Sequence, residues 1–420
     1  MNTSGRAFGR AARDVLARPA LYWGLAAVFA LRVVVLSIVN HDRPDAEGMW
    51  EGARAYLTNP AHMYDDAARY LAISHVIAPP GTLAAFVSPP PVALLAVPVA
   101  LLPRDVGVQA WTVIDALALV GGLFVLYRIA CRRNTVAAPV FWLIAAYFPP
   151  AYADISAGQR GGIALLGAMA SIAYEPARPV LAGALGGLVS ALKYYPAAMI
   201  IGPRPAHRVT YAVALGATLV VVTALTFVPL GAGGASFYFQ HVLLASLGSH
   251  NADCSYDSVR TLFDRVVGGD AWLVPKDGGG VTAVRLPWSF PGVATVLGYG
   301  SALAFVAAAV WAAWHSGWNV PYGMALGFSL GALVPNEVWP YQWLPVLPLA
   351  LLVAVRAIEH RHVVTLVVMA VLMLGFYRAP CDLPFPNLWT VAAVGLFVLG
   401  VWENRLFRSS TQGVRNGAQL

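Results

Sequence analysis

Three carboxylates follow directly on the first long apolar segment of the chain, which covers residues 20–39. They are Asp42, Asp45 and Glu47. A carboxylate held at the boundary between membrane and water, beside apolar walls, is well placed to act as a general base on a hydroxyl group. We interpret Asp45 as that base. The alternative is structural, because an aspartate at this position could cap the helix that follows.

The composition is that of a membrane protein. The 420-residue chain is 59% apolar and 11% charged, whereas soluble domains carry roughly a quarter charged residues. Repeated apolar runs of about 20 residues predict α-helices that cross a membrane, because a helix satisfies its own backbone hydrogen bonds in lipid. We therefore expect an all-α polytopic membrane protein with about 10–12 transmembrane helices, some of them broken by proline.

The distribution of charge predicts the orientation. The formal net charge of +7 is mostly arginine, which lies in short loops and near the termini. This is a positive-inside pattern rather than a surface for nucleic acid. Residues 1–19 and 403–420 are expected to be cytoplasmic, and residues 20–402 to form one multi-spanning domain with outer loops near 40–82 and 231–288. The first apolar segment is too long for a cleaved signal sequence, so we interpret it as a retained span.

Several short motifs occur in an order that resembles a known family. The motifs are Asp45-x6-Gly52-Ala53-x-Ala55-x-Leu57, Phe86-x-Ser88-Pro89-Pro90, Asp154-x3-Gly158-Gln159, Leu181-Ala182-Gly183 and Lys193-x-x-Pro196. No single motif is specific, but together they resemble the bacterial polyprenol-phosphate-sugar-dependent glycosyltransferases of the GT-C superfold, such as the actinobacterial mannosyltransferases of phosphatidylinositol mannosides and lipoglycans.

The resemblance implies a fold, a donor and an acceptor. The fold would be a GT-C-like helical bundle, and the donor a polyprenyl-phosphate sugar, with mannose as the expected sugar. The acceptor would be an extracytoplasmic glycolipid, lipoglycan or wall polysaccharide. Transfer would invert the anomeric carbon on the outer side of a bacterial plasma membrane, without cofactor or metal. The family's general base corresponds to Asp45.

An inverting transfer also requires that the departing phosphate be neutralised, which arginine or lysine can do. Each candidate has a structural alternative, since Arg160 could be an interfacial anchor, Lys193 could snorkel to the membrane surface and Arg378 could pair with Asp382. The basic candidates are Arg160, Lys193, His250, Arg260 and Arg378.

A second set of residues could bind the sugar or the acceptor. Asp154 could equally orient a helix end, and the late aromatic cluster could be a membrane-interface belt instead of a stacking surface. A Trp-x-His-His element of the family reads Trp339-Pro340-Tyr341-Gln342 here, which keeps hydrogen-bonding groups but no charge. The candidates are Glu47, Asp154, Gln159, Asn251, Trp339, Tyr341 and Gln342.

Two other functions remain open at this stage. A transporter or lipid-linked sugar flippase would use Lys193 and the broken hairpins as a substrate path. It would also require charged groups deep within several spans, of which there are few and Asp115 is the clearest. An inactive homologue that scaffolds wall-assembly enzymes is the other, because the family's late histidines are replaced. Cys254 and Cys381 both fall in predicted outer segments, where a disulfide could persist, whereas Cys131 is expected to be a reduced thiol on the inner face.

Overall fold

The computed structural model describes residues 18–40, 43–67, 86–132, 134–244, 257–275, 281–315, 319–336, 338–377 and 387–417. The side chains of residues 273–281 and 405–417 lie outside this description, as do the predicted site residues His250, Asn251 and Arg378 and the cysteines Cys254 and Cys381.

The described chain is almost entirely helical. The α-helices are α1 (Pro19–Val39), α2 (Pro44–Thr58), α3 (Pro90–Ala100), α4 (Arg104–Ala130), α5 (Ala138–Ala146), α6 (Pro149–Ala157), α7 (Gly161–Tyr174), α8 (Pro179–Leu192), α9 (Pro205–Phe227), α10 (Gly231–Phe237), α11 (Val259–Val266), α12 (Pro291–His315), α13 (Val320–Leu333), α14 (Leu347–His360), α15 (Val363–Gly375) and α16 (Leu388–Gly417).

Shorter elements connect these helices. A two-stranded antiparallel hairpin pairs β1 (Trp272–Pro275) with β2 (Val281–Val284). The remaining turns are 3-10 helices at Pro60–His62, Thr135–Ala137, Tyr195–Ile201, Val228–Leu230 and Pro340–Val346, and a π-helix at Tyr238–Leu243.

The prediction of an all-α polytopic membrane protein is confirmed. Among the residues that the structure describes, five stretches are long and apolar enough to cross a membrane, namely Pro19–Val39, Arg104–Ala130, Pro205–Leu243, Pro291–His315 and Pro340–His360. The helical segments Thr135–Ala146 and Pro149–Ala157 meet at a bend of 47° and add a sixth candidate if they count as one span. Six further apolar helices in the described chain are shorter. Many of these helices begin with proline. The N–H that proline lacks would have no partner in the first turn of a helix, so its absence costs nothing there.

Close packing of helices in the centre depends on small residues, as in other membrane bundles. Helix α7 lies against α4, and α8 lies against α9. At Gly162 an added Cβ would stand 2.2 Å from the carbonyl oxygen of Asp115, so only glycine permits this approach of α7 to α4. The result places the start of α7 directly beside a carboxylate of α4.

A buried polar cluster joins the start of α11 to the start of α16. The carboxylate of Asp257 accepts hydrogen bonds from the side chains of Asn387 and Thr390 and, at 3.2 Å, from the Thr390 backbone N–H. The Asp257 N–H donates to the Val338 carbonyl at 2.9 Å. This cluster therefore anchors the chain just before the aromatic element that begins at Trp339.

Stability should depend on pH through this cluster. Burial raises the pKa of Asp257 to about 7, from a usual value of 3.8, although Thr390, Arg265 and Asn387 act in the opposite direction. Between pH 3.8 and about pH 7, Asp257 therefore carries a proton in the folded protein but not in the unfolded chain. The contribution of Asp257 is fully present below about pH 4 and is lost as the pH rises through about 7.

We expect the melting temperature of the purified protein to fall as the pH rises from about 4 to about 7, and the Asp257→Asn variant to show a flatter profile. Parallel profiles for the two proteins would contradict the assignment.

Candidate active site

The site begins where α1 passes into α2. Arg43 donates from Nη1 to Gln109 Oε1 at 2.8 Å and from Nη2 to the Ile38 carbonyl at 3.2 Å, and Gln109 donates to the Ser37 carbonyl at 2.7 Å. Pro44 then occupies the first helical position, where its missing N–H costs nothing. Asp45 follows in the first turn of α2, where a negative charge is favoured by the helix dipole.

A left-handed turn brings a second segment against Asp45. Gly158 ends α6 with φ of 69°, and an added Cβ there would stand 2.5 Å from the Cβ of Ala46. Trp111 Nε1 donates to the carbonyls of Gly158 and Gln159 at 3.2 and 3.1 Å, which holds the turn against α4. Glycine is therefore required both for the backbone conformation and for the close approach.

The carboxyl of Asp45 is half-buried and lies among polar groups of this turn. Gln159, the cations Arg160 and Lys193 and the carboxylate of Asp154 are its polar neighbours. Burial raises the pKa of Asp45 above its usual value of 3.8, whereas Gln159, Arg160 and Lys193 act in the opposite direction. The group is thus a stronger base than an exposed aspartate and is still close to cations that favour its ionised form.

Behind Asp45 lies a buried ion pair between Asp154 and Lys193, with Lys193 Nζ 3.7 Å from Asp154 Oδ1. Both side chains are buried, at 0% and 7% exposure. The Asp154 carboxylate also accepts the N–H groups of Gly161 and Gly162 at 3.2 Å each. An added Cβ at Gly161 would stand 2.3 Å from Asp154 Oδ1, so this start of α7 also needs glycine.

Arg160 is the half-buried cation of the group. Its Nε donates to the Leu192 carbonyl at 3.0 Å, and its Nη1 lies 3.5 Å from Gln159 Oε1. Tyr64 and Tyr238, whose ring centroids are 5.0 Å apart, lie within electrostatic range of the guanidinium. Arg160 is therefore held through Nε and Nη1. Its guanidinium keeps further N–H donors, with which it can bind an anion.

The aromatic element after α13 approaches the same cations. Lys193 Nζ lies 5.6 Å from the ring centroid of Tyr341 and 5.9 Å from that of Tyr195. The rings of Trp339 and Tyr341 are nearly parallel, with centroids 5.9 Å apart. Gln342 Oε1 accepts the Trp339 N–H at 2.9 Å, which stabilises the turn that presents these rings.

Two residues predicted for the site are bonded elsewhere. Glu47 pairs with Arg104 at 3.0 Å. Residues two apart on a helix point in nearly opposite directions, so Glu47 points away from the face that carries Asp45. Arg260 on α11 pairs with Asp264 at 2.8 Å and lies 4.8 Å from the ring centroid of Tyr299 on α12. The charge of Arg260 is thus already compensated within its own part of the bundle.

The sequence interpretation did not assign a site role to Asp115, Tyr64 or Tyr195. Asp115 is the clearest of the deep charged groups that a transporter would require, but its Oδ1 accepts the Ile163 N–H at 2.9 Å and so caps α7 together with Asp154. An acid within an apolar span was the available signal. Tyr64 and Tyr195 offered no comparable signal, because aromatic residues occur throughout this sequence.

Comparison with known proteins gives one family. The model of glycosyltransferase family 87 matches residues 86–339, which is more than half of the chain. The matched region contains Asp115, Asp154, Gln159, Arg160 and Lys193 and begins after Asp45. Neither the curated proteins nor the solved structures contain a significant match.

Proposed function

The chain belongs to glycosyltransferase family 87, and from this premise we propose that it transfers a sugar from a polyprenyl-phosphate donor to a hydroxyl group of an extracytoplasmic glycolipid, lipoglycan or wall polysaccharide. The observation that carries the proposal is the proximity of Asp45, a partly buried carboxylate, to the cations Arg160 and Lys193. One acid and adjacent cations are the minimum that an inverting transfer needs.

In the proposed reaction Asp45 removes the proton of the acceptor hydroxyl while the acceptor oxygen attacks the anomeric carbon. The bond between that carbon and the phosphate oxygen breaks, and its electron pair leaves with the lipid phosphate. Attack and departure occur on opposite faces of the carbon, so the configuration inverts. Asp45 therefore lies toward the acceptor in this scheme, and Arg160 lies toward the donor.

Arg160 is our candidate for the main phosphate ligand. Its guanidinium is half-buried and fixed through Nε, and arginine can offer two parallel donors to a phosphate. Lys193 lies deeper and pairs with Asp154, so we propose that it contributes positive potential and holds Asp154 in place. No step passes through a metal ion or cofactor, because the two cations can carry the phosphate charge.

Arg160→Gln should lower turnover by roughly 10²–10³-fold, the usual effect of removing one donor to a developing charge. Arg160→Lys should recover part of the loss, because it keeps the charge but not the planar fork. Initial rates at several donor concentrations would measure both. Arg104→Gln is the matched control, since Arg104 pairs with Glu51 on the opposite face of α2. A control variant as inactive as Arg160→Gln would argue against a specific role.

The proposal also includes the identity of the sugar and the side of the membrane on which transfer occurs. The order of motifs from Asp45 to Lys193 supports mannose, and the arginines of the predicted inner loops support a bacterial plasma membrane with the site facing outward. The aromatic rings of Trp339 and Tyr341 are suited to stacking on a sugar ring next to Lys193.

The test is a transfer assay with protein reconstituted in liposomes. Three radiolabelled donors are compared, namely polyprenyl-phosphate mannose, a polyprenyl-diphosphate sugar and a nucleotide sugar, with bacterial glycolipid extract as acceptor. We expect label to move only from the monophosphate, with inverted configuration in the product. Transfer from the nucleotide sugar, or retained configuration, would refute the proposed donor or mechanism.

A further inference from the structure

Helix α1 carries one charged residue within its apolar span. Arg32 lies seven residues before the last residue of the helix, about 10 Å along its axis. Its side chain is exposed, and so are its neighbours Leu31 and Val35, at 64% and 46%. An arginine on the lipid-facing side of a span is costly and therefore indicates a functional site for which a partner should be sought.

The guanidinium of Arg32 is held at the bend between α5 and α6. Its Nη1 donates to the carbonyl of Ala146, the last residue of α5, at 3.3 Å. Its central carbon lies 4.2 Å from the ring centroid of Tyr152, and Tyr152 Oη donates to the same carbonyl at 2.7 Å. The bend frees this carbonyl from the helix, so the structure fixes the cation in a polar notch at the bundle surface.

No anionic group of the protein neutralises this cation in the part of the chain that the structure describes. The ion pairs found there involve other residues, and the contacts of Arg32 use only a carbonyl and an aromatic ring. Tyr147, 50% exposed, lies beside the same bend, and exposed tyrosine is typical of the level of lipid headgroups. The surrounding lipid is therefore the available source of a negative charge.

We propose that Arg32, Tyr152 and the Ala146 bend form a binding site for the phosphate of an anionic phospholipid. The lipid would be resident rather than the sugar donor. Tyr152 and Asp154 are two residues apart on α6 and point to opposite faces of that helix. A phosphate at Arg32 thus lies on the lipid side of α6, whereas the proposed donor phosphate lies beside Arg160 on the inner side.

The proposed lipid has a structural consequence for the active site. Helix α6 carries Asp154 on its inner face and ends at the Gly158 turn that contacts Ala46. Asn40, which follows the end of α1, donates to the Ser156 carbonyl of α6 at 2.8 Å. A phosphate bridging α1 and the bend would therefore stabilise the packing of α6 against α1, whichever donor the enzyme uses.

The test uses full-length protein in detergent, titrated with phosphatidylglycerol, with phosphatidylcholine or with inorganic phosphate, while thermal unfolding and retained lipid in native mass spectra are recorded. We expect phosphatidylglycerol to stabilise the wild type more than either other addition. Arg32→Gln should weaken its apparent affinity about tenfold, because a charge-assisted bond is lost, and Arg32→Lys should keep most of it.

Arg54→Gln is the matched control. Arg54 also donates to a carbonyl, that of Ala100 at 3.5 Å, and lies 5.6 Å from the ring centroid of Trp50, but its helix α2 is not a membrane span. This variant should keep the wild-type response. The proposal is overturned if Arg32→Gln keeps it too, or if phosphatidylcholine or inorganic phosphate stabilises the wild type equally. If Arg32→Gln does not fold, the headgroup comparison on wild type and Arg32→Lys decides.

Discussion

Asp45→Asn is expected to reduce turnover by roughly 10²–10⁴-fold, the range over which a positioned general base contributes. The amide has nearly the same shape, but it cannot take up the proton of the acceptor hydroxyl. Binding of the donor should change little, because the cations that hold the phosphate remain. Single-turnover transfer with reconstituted protein would separate these two effects.

The pH profile provides a second readout for the same group. Because burial raises the pKa of Asp45 above 3.8, the wild-type rate should fall on the acidic side at a higher pH than an exposed aspartate would give. Glu51→Gln is the matched control, since Glu51 lies on the same helix and pairs with Arg104 at 3.3 Å. Turnover of Asp45→Asn within a few-fold of this control would remove Asp45 from the role of base.

Lys193→Met is expected to destabilise the fold by roughly 3–5 kcal/mol, because removing one member of a buried ion pair leaves the other charge uncompensated. Asp154 would keep its two bonds from Gly161 and Gly162 but would lose its cation 3.7 Å away. Methionine fills a similar volume, so the loss should reflect charge rather than a cavity. Unfolding in detergent, followed by intrinsic fluorescence, would measure it.

The double variant tests whether the two residues act as a pair. Asp154→Asn in the Lys193→Met background removes the unpaired charge, so stability should rise above that of Lys193→Met. It should stay below that of the wild type, because the amide has one acceptor oxygen for the N–H groups of Gly161 and Gly162. Activity should remain low, since Lys193 is also a neighbour of Asp45. Additive losses in the double variant would show that Asp154 and Lys193 are energetically independent and would contradict the proposed ion pair.

The sequence by itself determined the class of the protein and the surroundings of single residues. Apolar runs predicted helices because lipid provides no backbone hydrogen bonds, and the order of the chain placed Asp45 directly after the first of these helices. The break at Lys193 was also readable, since α8 ends at Leu192 and a 3-10 turn begins at Tyr195.

Only the tertiary structure decided which of the candidate residues meet. Helical periodicity defines faces within one segment, but it does not relate the start of α2 to the turn after α6 or to the end of α8. The left-handed Gly158 and the close approaches at Gly161 and Gly162 set those relations. The structure also shows that Glu47 and Arg260 have other partners, since Glu47 pairs with Arg104 and Arg260 pairs with Asp264.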